Sequence, residues 1–282
     1  MEASGVRKHW ESAAPGWARW ESTIAAWVEP ATETMLDMAG IEAGARVLDI
    51  ACGAGSQTLA AANRVGPEGH VVASDIAETM LRHVEQNARA AGLANVTTVA
   101  GPAEALTLAA ESFDAVICRL GLMLFSDPTR ALRAVRGALR PGGKVSVVVF
   151  TTPAANPVMA RPMEILLRHA GKTPPAPGQP GIFALGASGV IDEIFGASGF
   201  VRPERRTVAV TFRTASAAQM LAMMQEAFGA YRAVVSDQPE AVRAAAWAEV
   251  AEALKRFETP TGFSAPSEVL VAAAARPGDN RT

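Results

Sequence analysis

Cysteine is scarce in this chain, two residues in 282, and neither Cys52 nor Cys118 has metal-ligand spacing or a partner pattern that makes a disulfide framework. No resident metal is expected, and a reducing, cytoplasmic compartment is the default expectation. Base candidates are equally few: His9, His83, His169 and Tyr231. Excess charge of either sign is missing too, since 26 basic residues face 28 acidic ones for a formal net charge of −2. That balance offers no broad cationic surface for a phosphate backbone and argues against nucleic acid as partner. No apolar run approaches the length of a membrane span, so a soluble protein without one is expected.

What the chain does have is one informative loop. Val47-Leu48-Asp49-Ile50-Ala51-Cys52-Gly53-Ala54-Gly55 reads as a buried strand that ends in an acid and then in a glycine-rich turn. Gly53 and Gly55 open backbone conformations closed to other residues and leave room for a ligand against the main chain, while Ser56 starts a helix behind them. One strand-helix-strand unit later, Val71-Val72-Ala73-Ser74 leads to Asp75, where a carboxylate takes both hydroxyls of a ribose. A dinucleotide fingerprint requires a third glycine, and Thr58 stands in its place. Asp49, at the mouth of the first strand, repels a pyrophosphate but attracts an ammonium or sulfonium. The pocket is therefore expected to take a cationic nucleoside.

Over residues 46–150 the chain resembles the class I S-adenosylmethionine-dependent methyltransferases, and more narrowly the small-molecule branch similar to the quinone-biosynthesis C-methyltransferases. Five segments carry the likeness in order: Val47 to Gly55, Val71 to Asp75, Gly101 to Leu106, Ser112 to Val116, and Leu139-Arg140-Pro141-Gly142-Gly143-Lys144. The resemblance implies that Asp49, Ala51 and the Gly53 to Gly55 turn hold the methionine end of S-adenosyl-L-methionine. It places the ribose on Asp75, with Ile76 beside it, adenine between Ala103 and Glu104, and the main chain at Arg119 against the methionine group. Pro102 departs from the pattern, because many relatives carry an aspartate there that accepts from the adenine amine.

The implied architecture is α/β and doubly wound, a Rossmann-like, mostly parallel seven-stranded sheet with an antiparallel last strand. Strands are expected at 46–50, 71–75, 96–100, 113–118, 144–150, 206–212 and 269–274, with helices between them. Asp127-Pro128 marks a helix start. The expected division is a helical lid at 1–40, a cofactor-binding core at 41–150, and a remainder at 151–282 with substrate-covering insertions after the fifth and sixth strands.

Two regions outside the core are expected to select the substrate. Trp10, Ala13, Trp17, Trp20, Ile24 and Trp27 form one apolar stripe on a helix bent or restarted at Pro15-Gly16. Such a stripe docks the helix on the core, or, as the resemblance implies, makes a lid in which Trp17 or Trp20 covers the cofactor; packing on a second copy, giving a homodimer, is the other outlet. Beyond the fifth strand, a helix at 156–168 carries Arg161 and leads to His169, and Pro174, Pro175, Pro177 and Pro180 form an extended cover. Met220, Met223, Met224 and Phe228 lie on helices expected at 216–233 and 240–257.

The chemistry the resemblance implies is displacement at the methyl carbon of a sulfonium by a small, apolar or aromatic acceptor; of the four base candidates, His169, on the helix after the fifth strand, is the one placed to meet it. Arsenite is disfavoured for want of thiolates. The alternative is a protein that keeps the fold and binds the cofactor but has lost transfer, or steers a non-methylating reaction.

Overall fold

The computed structural model describes residues 3–176 and 178–278; Pro177 of the proline-rich cover lies outside them. In chain order the strands are β1 Arg46–Ile50, β2 His70–Asp75, β3 Val96–Ala100, β4 Phe113–Arg119, β5 Leu139–Phe150, β6 Val201–Thr214, β7 Glu258–Thr259 and β8 Gly262–Ala275. The helices are α1 Ala3–Met38, α2 Ser56–Val65, α3 Glu78–Ala90, α4 Pro128–Ala138, α5 Pro157–His169, α6 Val190–Ala197, α7 Ala217–Glu226, α8 Gly229–Val235 and α9 Glu240–Leu254.

Strands buried on both faces need near-continuous apolar sequence, and Val47, Leu48, Ile50, Val116, Ile117, Val147 and Val148 supply it, each fully buried. The sheet runs β3-β2-β1-β4-β5-β8-β6. Its first five strands are parallel, and β8 lies antiparallel to both β5 and β6. The sheet has eight strands rather than the expected seven, because the two-residue β7 pairs with the start of β8. Chain order reverses between β1 and β4, and in open sheets of this kind the crevice for a ligand opens at the carboxyl ends of the strands beside that reversal.

Three further expectations change. The N-terminal helix is not restarted at Pro15-Gly16 but continues through both Pro15 and Pro30. Its apolar stripe is held from end to end by tertiary packing, which outweighs the backbone bond each proline removes. The helix expected at 216–233 breaks into α7 and α8 around Ala227-Phe228. Arg232 donates to the carbonyls of Gln225 and Glu226 at the break, and Gly229 lets α8 approach α1 so closely that a Cβ there would lie 2.6 Å from His9 Nε2. Finally, β6 and β8 are each 14 residues long, at least twice the expected spans. Their extra length includes Arg202, Glu204 and Arg205 on the outer edge, and charge on an exposed edge blocks pairing with other chains.

Tryptophans of the stripe pack within the chain. Trp27 stacks on Phe212 at 3.4 Å between ring centres and on Phe150 at 5.8 Å, and Trp17 meets Phe228 at 5.9 Å. Trp20 Nε1 donates to Glu226 at 2.9 Å. At Gly16 the end of α7 comes so near that a Cβ would sit 2.0 Å from the Glu226 carbonyl oxygen.

Candidate functional site

The loops after β1, β2 and β4 meet at one sheet edge. Backbone strain is concentrated there: Ala51 at the end of β1 and Leu120 just after β4 both sit in the left-handed region, at φ 54° and 59°. A non-glycine residue held so costs about 1–3 kcal/mol and persists where the surroundings over-determine it, commonly at ligand sites. The two loops press together at Gly121, where a Cβ would come within 2.6 Å of the Ala51 Cβ. Gly53 and Gly55 have φ of 57° and 101°. A Cβ on Gly55 would strike Val84 at 2.9 Å, whereas one on Gly53 would meet nothing within 4 Å. The outer face of the turn is thus open main chain, the cradle a nucleoside ligand requires.

Asp75 ties this edge together. Its carboxylate accepts from the backbone N–H of Gly53 at 3.0 Å and of Ala77 at 2.9 Å, and its own carbonyl accepts from Gly101 N at 2.9 Å. Those contacts set the glycine turn, the start of α3 and the segment carrying Ala103 and Glu104 around one acid. Burial raises the Asp75 pKa, opposed by the backbone donors. Ala103 is buried and Glu104 half-buried in the turn of 3-10 helix after β3, and Ile76 is half-buried beside Asp75.

Asp49 sits differently from its sequence reading. It does not present a carboxylate at the cleft mouth but is fully buried behind the loop, accepting from Thr58 Oγ1 at 2.6 Å and Gln57 Nε2 at 3.4 Å. Burial raises its pKa to about 7, against the opposing effects of Thr58 and Arg119. Thr58, noted in the sequence only as a missing glycine, is the residue that anchors this acid. Arg119 contributes its side chain rather than only its main chain: the guanidinium donates to Thr32 Oγ1 at 2.9 Å and Ser56 Oγ at 2.5 Å. Desolvation lowers its pKa to about 10, with Glu21 and Asp49 holding it up, so it stays charged at neutral pH.

Sequence reasoning missed two acids on α1. Glu11 accepts from the backbone N–H groups of Glu78 and Thr79 at the start of α3, the Glu78 bond being 2.7 Å long. Glu21 accepts from Ser56 N, at the start of α2, at 2.8 Å. Ten residues apart and therefore roughly 15 Å apart along the helix, they lay α1 across both helix starts that border the glycine turn. The only sequence signal was an acid four residues beyond Trp17, hence on the same helix face. Ala14 packs with Ala77 and Met80 beneath Trp10 and Trp17, so the helix covers this edge.

Arg161 and His169 are engaged elsewhere. Arg161 forms an exposed pair with Glu164 one turn along α5. His169 Nε2 is 2.9 Å from Glu249 Oε2 on α9, and Arg168 pairs with the same carboxylate. Tyr231 is buried, its hydroxyl donating to the Met159 carbonyl at 2.9 Å, and burial pushes its pKa far up.

Residues 47–143 match the family model described as a methyltransferase domain. With the strand order and the crevice at its reversal, they make this part of the chain similar to Rossmann-like methyltransferase domains. The chain is similar to the ubiquinone/menaquinone biosynthesis C-methyltransferase UbiE of Pasteurella multocida, at 38% identity over 124 residues, 44% of this chain and 46% of the relative. It spans about half the length of the curated relatives it matches. Among solved structures, the YcgJ protein from Bacillus subtilis superposes with a TM-score of 0.58 at 18% identity over 88% of this chain and 99% of that one. The Haemonchus contortus phosphoethanolamine N-methyltransferase 2 in complex with S-adenosyl-L-methionine gives 0.53 at 18% over 88% and 52%. Both share the fold.

Proposed function

We propose that this protein transfers a methyl group from S-adenosyl-L-methionine to a small-molecule acceptor. The observation that carries the reading is Asp75, whose carboxylate orders the glycine turn and the start of α3 and whose backbone carbonyl holds Gly101 just after β3, all around an open stretch of main chain. S-adenosyl-L-methionine supplies a methyl group on a sulfonium, already activated for displacement. Asp75 retains further lone pairs for ribose hydroxyls. The Gly53 to Gly55 main chain takes the methionine end, Arg119 steadies the start of α2, and Ala103 and Glu104 flank the base. Asp49, buried and bonded to Thr58, fixes the turn from behind.

The acceptor is proposed to be apolar or aromatic, as the relatives' name, ubiquinone/menaquinone biosynthesis C-methyltransferase, suggests. Trp27, Phe150, Phe183 and Phe212 form a connected aromatic cluster around the last residue of β5, and Trp17, Phe228 and Tyr231 a second one under α1. Their part-buried members, Phe183 and Trp17, offer such an acceptor an apolar face that excludes water. Such a reaction depends mainly on alignment in a dry site, and a protein base is required only for an acceptor protonated at working pH. Among the described residues no helix is long and apolar enough to cross a membrane.

Calorimetric titration with S-adenosylmethionine, S-adenosylhomocysteine and NAD tests the cofactor. Binding of the first two, weakened in Asp75→Ala, is the expected result; binding of NAD alone, or of none, removes the proposal. An acceptor panel scored by S-adenosylhomocysteine release then tests transfer.

A further inference from the structure

Among the described residues three buried polar atoms on α1 have no hydrogen-bond partner: Trp27 Nε1, enclosed by aromatic rings, and two others that lie together on one face of the helix. Glu21 Oε2 is a carboxylate acceptor without a donor, although its companion Oε1 accepts from Ser56 N at 2.8 Å. Trp17 Nε1, four residues earlier, is an indole donor without an acceptor. Residues at that spacing stand one above the other on a helix. Their surroundings belong to the proposed cofactor edge: Trp17 packs over Ala77 and Met80 just after Asp75, and Glu21 faces the start of α2, where Arg119 holds Ser56. Polar atoms buried without partners are uncommon, and each such atom asks for an explanation.

Charge at this edge is also unbalanced. Asp49 and Glu21 face the Arg119 guanidinium, and Asp75 adds a third acid beside Asp49. A ligand that brings an ammonium and a sulfonium with one carboxylate corrects the balance. The same ligand offers a donor and an acceptor side by side on its amino-acid end.

We propose that α1 is part of the cofactor site: Glu21 accepts from the α-ammonium of the cofactor's amino-acid end, and Trp17 Nε1 donates to its α-carboxylate. This assignment rests on the S-adenosylmethionine reading above and deepens it. It gives the helix a recognition role that goes beyond covering the cleft, since a nucleoside without the amino-acid end satisfies neither atom.

The test compares two ligands by calorimetry on the full chain. S-adenosylhomocysteine carries the amino-acid end, and 5′-methylthioadenosine has the same adenosine and thioether without it. Wild type is expected to bind the former more tightly. Glu21→Gln removes the charge and is expected to weaken S-adenosylhomocysteine about 10- to 100-fold while leaving 5′-methylthioadenosine within about twofold, because only a charge-assisted hydrogen bond is lost. Trp17→Phe keeps the ring and is expected to produce a smaller loss confined to the same ligand. Equal losses for both ligands, or none, would reduce Glu21 to a helix cap and overturn the assignment. If thermal melting shows that Glu21→Gln does not fold, Trp17→Phe decides by the same ratio. Wild type that binds neither ligand removes the cofactor reading itself and this assignment with it, whereas wild type that binds both equally overturns the assignment alone.

Discussion

The glycine turn and the N-terminal helix border the same cleft, yet they are built in opposite ways. Around the turn, short-range groups are fixed by buried charge: Asp49 is bonded to Thr58 and Gln57 within nine residues, and Asp75 is bonded to Ala77 two residues on. The helix is fixed by distant surfaces: Trp27 between Phe150 and Phe212, Trp20 on Glu226, Glu21 on Ser56 and Glu11 on the start of α3. A site made of local backbone geometry leaves a motif in the sequence. A site made of packing between remote elements leaves only an amphipathic stripe.

The sharpest way to break the comparison is to remove the packing of α1. Trp27 is 5% exposed and stacks on two rings, with Ile24 and Val28 buried beside it. Trp27→Ala is expected to cost about 3–5 kcal/mol, the range for truncating a large buried aromatic, read from urea unfolding. Deletion of residues 1–28 takes all three residues away and is expected to give insoluble or unfolded protein. A truncated chain that folds with native stability would show that α1 is an independent cover, contrary to its packing here.

Asp75→Ala strikes the other region. It removes an acceptor from Gly53 and Ala77 and, on the proposed reading, from the ribose; cofactor affinity is expected to fall by about 1.5–3 kcal/mol, as for a hydrogen bond to a charged group. Titration calorimetry with S-adenosylhomocysteine measures it, and unchanged affinity would take Asp75 out of the ligand site.

These two positions show what the sequence could and could not disclose. The five parallel strands, Asp75 and the glycine turn were legible because their requirements are local: apolar runs, a positive φ and an acid at the strand end. Asp49 was found but turned the wrong way, since its partner Thr58 lies on the next helix and only the fold says which side of the strand faces it. Glu11 and Glu21 were missed because a helix stripe reports which residues are apolar and not which helix starts its acids will reach. The break between α7 and α8 depends on the close approach of His9 and Gly229, more than 200 residues apart, which no local pattern encodes.

Asp49 permits a test by pH. An acid whose pKa is raised in the folded state, here to about 7, binds its proton more tightly folded than unfolded, where the value is about 3.9. Its contribution is therefore fully present below pH ~4 and is lost as pH rises toward 7, by at most about 1.4 kcal/mol per pH unit. Asp49→Asn is expected to flatten that fall in denaturation midpoints measured between pH 4 and 7. An unchanged slope would assign the pH dependence to other groups.

The smallest effect is expected at His169, which the sequence offered as a base and the fold pairs with Glu249. Arg168 and His169 together hold the Glu249 carboxyl well below its usual range, as two donors on one exposed carboxylate do. An arrangement of this kind clamps α5 to α9, and solvent screening leaves exposed pairs little weight in stability. His169→Ala should therefore lower stability only slightly and leave turnover of an accepted substrate within a few-fold of wild type at every pH. The informative measurement is the pH profile of kcat/KM. Loss of a limb of that profile in the variant alone would return His169 to the chemistry and require α5 to turn its end from α9 toward the acceptor.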